Sequence, residues 1–147
     1  MADNLTPEQR QRNMANIRSR HTKPELVVRS IVHKLGYRFR LHYKKLVGKP
    51  DLVLPRHKKI ILIHGCFWHV HTCRRGSVTP KTNLEYWKNK RLGNVERDEV
   101  NIKNYATAGF QTLVIWECEL RHPAQLTERI ADFMSSGNRQ ANHRNQV

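Results

Sequence analysis

Long apolar runs are missing from this sequence. Stretches such as Ile60-Ile61-Leu62-Ile63 fall far short of the ~20 residues that a membrane-spanning helix needs. No apolar segment of the secretory type follows Met1-Ala2-Asp3-Asn4, so a cytoplasmic protein is expected. Cysteine is scarce and odd in number, three in all, which argues against a disulfide framework and leaves metal ligation or free thiols. Carboxylates are scarce as well, 12 Asp and Glu against 27 Lys and Arg.

What is present is a strongly basic chain. Its 147 residues allow one domain of ordinary size with a modest core, 38% of them being apolar. The formal charge is +15, and residues 1–50 alone carry twelve basic side chains against three acidic ones. Such an imbalance is the electrostatic footprint of a nucleic-acid partner, although a merely soluble basic protein has the same composition.

Three Ser/Thr-x-x-Glu/Gln patterns read as helix starts. Thr6-Pro7-Glu8-Gln9 predicts a helix over 6–18. Thr22-Lys23-Pro24-Glu25 predicts a second, with Val27, Val28, Ile31 and Leu35 on one face and Gly36 as its stop. Thr82-Asn83-Leu84-Glu85 predicts a third that runs to about Ala108, and a last helix is expected over 124–134. Between them lie an edge strand over 37–41, strands over 51–54 and 59–64 joined by Pro55-Arg56-His57-Lys58, and a buried-type strand over 112–116. The expected order is α, α, β, β, β, α, β, α, an α/β fold with a small mixed sheet flanked by helices. Residues 1–134 form the expected single domain. The polar stretch 135–147 is read as a basic, disordered tail.

Chemistry concentrates in His64-Gly65-Cys66-Phe67-Trp68-His69-Val70-His71-Thr72-Cys73, directly after a predicted strand. Cys66, His69, His71 and Cys73 are all candidate zinc ligands, because thiolate and imidazole are the donors that tetrahedral zinc prefers. Cys118, beyond the strand over 112–116, can return to that loop as a further ligand; three buried, unlinked cysteines are the plainer alternative. Asp51 begins a strand that pairs with the one ending at His64, where a carboxylate and a backbone carbonyl can together hold a hard cation such as Mg²⁺. Pro-Asp is also a common turn. Glu25 is explained by capping alone, yet a carboxylate can equally orient a histidine base.

At these residues the chain resembles the very short patch repair (Vsr) endonucleases. The similarity lies in Asn13-Met14 with Ile17 and Arg20, in Gly48-Lys49-Pro50-Asp51, and in His64-Gly65-Cys66-Phe67-Trp68-His69 with His71 and Cys73. It continues in Gly93-Asn94-Val95-Glu96-Arg97-Asp98 and in Trp116-Glu117-Cys118 with Leu120-Arg121. The resemblance implies a restriction-endonuclease-like core with a structural zinc site, which nicks one strand of duplex DNA beside a T·G mismatch with Mg²⁺. It implies that Asp51 and the main-chain carbonyl of Ile63 bind Mg²⁺, that His69 is the general base supported by Glu25, and that His64 acts at the metal-bound phosphate. It further implies that Cys66, His71, Cys73 and Cys118 bind zinc. Well-known members have threonine where this chain has Ile63, and the segment between Cys73 and Trp87 also departs from them. The lysine that commoner nucleases place two residues after a strand carboxylate is replaced here by the region of His64.

Phe67 and Trp68 sit among polar and charged neighbours; the resemblance implies that they insert between base pairs beside the target, and core packing is the alternative. Trp87 can join them from the opposite side of the gap, and Met14 and Ile17, one helical turn apart among arginines, can press into the groove, with core packing the plainer reading for either alone. The expected partners are T·G-mismatched duplex DNA and mismatch-repair proteins, with a monomer acting in the bacterial cytoplasm. Two other readings compete: a nicking nuclease of the same fold with another lesion or sequence preference, and a zinc-stabilised DNA-binding module without catalysis.

Overall fold

The computed structural model describes residues 22–41 and 43–146. The expected helix over 6–18, with Met14 and Ile17, lies outside the described residues. Helix α1 (Lys23–Lys34) starts where the capping pattern places it. Thr22 is extended, its hydroxyl accepts from the Glu25 N–H at 3.4 Å, and Pro24 occupies the first turn, where its missing N–H costs nothing. Strands β1 (Leu52–Leu54) and β2 (Lys59–His64) follow. They are antiparallel and linked by a 3-10 turn (Pro55–His57), which Lys58 closes in the left-handed region. Helix α2 (Leu84–Thr107), strand β3 (Gln111–Trp116), a second 3-10 turn (Glu117–Arg121) and helix α3 (Pro123–Gln146) complete the described chain.

β2 lies between β1 and β3, antiparallel to the first and parallel to the second, so the sheet is small and mixed as expected. Its side chains alternate between two faces. Leu52, Leu54, Ile61 and Ile115 pack with Val28 and Val32 of α1 and with Leu126, Ile130 and Met134 of α3. Val53, Ile60 and Leu62 face the other way, onto Tyr105 and Phe110. The sheet is thus buried on both sides, and each fully buried Ile or Leu contributes about 1.5–3 kcal/mol. Among the described residues no helix is long and apolar enough to cross a membrane.

Three expectations are corrected. Residues 37–41 form no strand; a single antiparallel bridge, Arg40 to Val53, is all that pairs there, since apolar–basic alternation marks a wet face without supplying a paired neighbour along its length. The α2 cap is Asn83 rather than Thr82. Asn83 is left-handed (φ 52°), a conformation that asparagine tolerates, and no side chain caps the helix. Helix α3 runs on to Gln146 instead of ending near Met134, there being no proline beyond Pro123 to interrupt it. Near that expected end, buried Lys59 donates to the carbonyls of Phe133 and Met134, the latter at 2.6 Å.

The approach to Asp51 depends on Gly48. Its φ is +75°, and a Cβ there would lie 2.4 Å from Nδ2 of Asn101 on α2. Gly48→Ala is therefore expected to destabilise by about 2 kcal/mol, part steric and part conformational. Urea denaturation in an Asn101→Ala background checks the partition: the steric part is recovered, and the cost of the left-handed backbone remains.

Candidate functional site

The parallel register sets the site, because β2 and β3 end together with His64 opposite Trp116. Asp51, just before the antiparallel β1, is brought to the same end of the sheet, where its Oδ2 accepts from the Ile63 N–H at 2.8 Å. Burial raises the Asp51 carboxyl from 3.8 to about 6; the Ile63 N–H opposes that rise and the charge of Glu25 adds to it. Glu25 is itself buried and pairs with Arg29 at 2.9 Å. His64 is buried, and desolvation, with the neighbouring His69, lowers its pKa to about 4 despite the charge of Asp98. It is neutral at pH 7.

His69 stacks on His64, with ring centroids 4.0 Å apart and planes 8° from parallel. Its Nδ1 lies 2.5 Å from Oδ2 of Asp98, whose other oxygen is 3.7 Å from Nε2 of His64. With Nδ1–H donating to Asp98, Nε2 of His69 is the basic nitrogen. Sequence reasoning quoted Asp98 within the Gly93–Asp98 stretch and gave it no role. The signal was there: Arg91, Asn94 and Asp98 recur at one-turn spacing on one helical face.

Beside this group, Cys66, His71, Cys73 and Cys118 bring one ligand atom each to within 4.8 Å of one another and could hold a metal ion. The Cys118 Sγ lies 3.6 Å from Nδ1 of His71, and its N–H points at the Cys66 sulfur at 3.4 Å. All three cysteines are free of disulfides. Burial pushes the Cys66 thiol up to about 12 and also raises that of Cys118, whereas the Gly76 N–H holds Cys73 at about 6. Three sulfurs and one imidazole suit zinc's tetrahedral preference, and the buried thiols would require such a charge to ionise. Spacing left open which histidine joins the cysteines. In the structure His71 does, while His69 turns to Asp98. Val70 between them takes φ +54°, an unusual conformation for a β-branched residue. Gly76 is obligatory in this loop, since a Cβ would lie 2.0 Å from the His71 carbonyl oxygen. Trp116 stands between the two groups, edge-on to His64 (5.3 Å) and stacked on His71 (4.2 Å).

Phe67, Trp68 and Trp87 meet, with centroid separations of 5.5–5.7 Å. They are half-buried and edged by Lys90 and exposed Tyr86, and so form part of the surface. The family described as DNA mismatch endonuclease Vsr matches residues 2–75. The chain belongs to the Vsr family. It is therefore a DNA endonuclease, which removes the reading as a non-catalytic module. Within the family it is similar to the type II nicking enzyme V.XorIIP of Xanthomonas oryzae pv. oryzae, 43% identical over 91% of this chain and 98% of the relative. It is also similar to the type II nicking enzyme V.NmeAIP of Neisseria meningitidis, 42% identical over 88% and 92%. The DNA mismatch endonuclease Vsr of Escherichia coli is 38% identical over 87% of this chain and 81% of its own length.

The raised Asp51 pKa has a thermodynamic consequence. A carboxyl that holds its proton more tightly folded than unfolded loses stability as pH rises from 3.8 through about 6. Asp51→Asn, which keeps an acceptor for Ile63, is expected to stabilise the protein at pH 7.5 by up to about 3 kcal/mol and to change little at pH 4. Thermal unfolding of both proteins at the two pH values, without added divalent cation, measures this.

Proposed function

We propose that this chain nicks one strand of duplex DNA beside a T·G mismatch and so initiates very short patch repair. The observation that carries the reading is the gathering of Asp51, His64, His69 and Asp98 at one end of the sheet, next in sequence to a half-exposed aromatic pair. Phosphodiester hydrolysis requires an activated water, a fixed approach and neutralisation of developing charge. His69, oriented by Asp98, is the base for the water. Neutral His64, stacked on it, acts at the phosphate. Asp51 and the Ile63 carbonyl would hold Mg²⁺, which neutralises charge on the phosphate when bound. The buried negative charge of Asp51, reinforced by Glu25, is the kind of environment that favours a hard cation. Glu25 acts as support for this group of residues. Cys66, His71, Cys73 and Cys118 would hold zinc as a structural cross-link in a restriction-endonuclease-like core.

Recognition rests on Phe67 and Trp68, with Trp87 behind them, as a wedge between base pairs. Unstacking costs a few kcal/mol and is least where pairing is already weak, as at a T·G pair. Duplex affinity as such rests on the Lys and Arg surplus and falls with salt. Action as a monomer in the bacterial cytoplasm, alongside mismatch-repair proteins, fits this role. The names of the two nicking-enzyme relatives favour a second reading in which one strand is cut in another sequence context. A panel of mismatches in varied flanking sequence separates the two: T·G cleaved well above all other pairs supports the first, and equal cleavage of other mismatches overturns it.

Asp51→Ala and His69→Ala are expected to lower nicking at least about a hundredfold while duplex affinity stays within about tenfold. Single-turnover nicking and binding titrations on the same duplex check this. Phe67→Ala and Trp68→Ala should reduce the preference for T·G over T·A more than they reduce affinity for unmodified duplex; equal losses accompanied by a lower melting temperature would mark the rings as core. Purified protein is expected to carry one zinc ion, and Cys118→Ser should lose it and destabilise the fold, because a closed four-ligand site contributes folding energy. Metal analysis and thermal unfolding measure both.

A further inference from the structure

Helix α2 meets the loop after β2 in step with it. Arg91 Nε donates to the Phe67 carbonyl at 2.7 Å, and its terminal nitrogens donate to the carbonyls of Val78, at 3.0 Å, and Gly76. Its guanidinium also lies over the Phe67 ring, 4.3 Å from the centroid. Asn94 Nδ2 donates to the Trp68 carbonyl at 2.9 Å, and Asp98 takes His69 Nδ1 at 2.5 Å. Successive turns of one helical face thus hold three successive loop residues. The middle rung has a particular position. The Trp68 carbonyl and the His69 N–H belong to one planar peptide unit, so that plane cannot turn at one end only. The His69 N–H is bonded in turn to the Gly65 carbonyl at 3.1 Å. Rotating this peptide about the Trp68 Cα–C bond would swing the His69 Cα and carry its ring away from Asp98.

We propose that Asn94 is a positioning residue that locks the peptide between Trp68 and His69, so that the aromatic pair and the histidine move as one body. Its consequence for specificity rests on the wedge and base roles proposed above; the mechanical linkage itself does not. A duplex that seats Trp68 badly would displace His69 from Asp98, and discrimination would then fall on turnover rather than on affinity.

The test uses the full zinc-loaded protein and a T·G duplex. Asn94→Ala is expected to lower kcat about tenfold, with KM within about twofold, as befits the loss of one hydrogen bond that acts on alignment. Asn94→Asp, similar in size but unable to donate to a carbonyl, should lose at least as much. In a double-mutant cycle with Asp98→Asn, the Asn94→Ala effect should shrink to less than about threefold, since His69 is then no longer held. A readout without DNA is the His69 Nδ1 proton resonance, assigned by its loss in His69→Ala. It should shift or broaden in Asn94→Ala while the melting temperature stays within a few degrees. Unchanged kcat, strictly additive effects with Asp98→Asn, or an unmoved resonance would each overturn the proposal. Failure of the wedge reading shows elsewhere, in Trp68→Ala keeping its preference for T·G over T·A.

Discussion

The parallel pairing of β2 with β3 is the constraint on which the rest depends. Because the two strands run level from Lys59 and Gln111 to His64 and Trp116, the segments beyond them leave the sheet side by side. One carries Cys66, His69, His71 and Cys73; the other carries Cys118. Neither segment alone holds all of the cluster Cys66, His71, Cys73 and Cys118, and neither has a local reason to fold towards the other. The antiparallel β1 then sets Asp51 against Ile63 at the same end. A register slip of one residue would turn His64 away from α2 and Asp98 and separate the cysteines, so the hydrophobic alternation that fixes register also fixes the chemistry.

The site is built against the preferences of its parts. Asp51 is a carboxylate in a place that disfavours its charge, Cys66 is a thiol in a place that disfavours thiolate, and His64 is held neutral by burial. Each would be relieved by a ligand: a cation in the first two cases, a polar group of substrate in the third. The surrounding core supplies the stability that such groups subtract. Asp98 is the compensating element, a single carboxylate facing both imidazoles.

Much of this was legible from the residues. Thr22 and Glu25 marked α1, the short apolar runs marked all three strands, and the ten-residue His/Cys segment marked the candidate site. The edge strand over 37–41 was misread because alternation of apolar and basic residues describes one wet face without showing that a partner exists; only Arg40 finds one. The choice between His69 and His71 came from the resemblance and was illegible in spacing, because it depends on Val70 adopting a positive φ that nothing in its side chain favours. The working face of α2 was hidden for a different reason. Pattern reading looks for apolar stripes, and the stripe that packs on the site is Trp87, Arg91, Asn94, Asp98, Asn101 and Tyr105, while Leu92 and Val100 stand exposed. Polar residues can pack on a helical face when backbone carbonyls and imidazoles are what they meet.

The loop after β2 therefore compresses separate tasks into one turn. His69 N–H bonds to the Gly65 carbonyl and His71 N–H to the Cys66 carbonyl, so residues 65 to 71 are tied to each other before any side chain is considered. A metal ion in the cluster of Cys66, His71, Cys73 and Cys118 would hold this turn at Cys66 and His71, on either side of the histidine that faces Asp98. Arg91 and Asn94 hold it from α2 at the residues between. A ring anchored three residues before and two residues after by the same cluster has little freedom left except rotation about its own side-chain bonds, and Asp98 removes that. An ion bound at that cluster would in this way set the geometry of the His69 ring, because the backbone linking them is too short to yield.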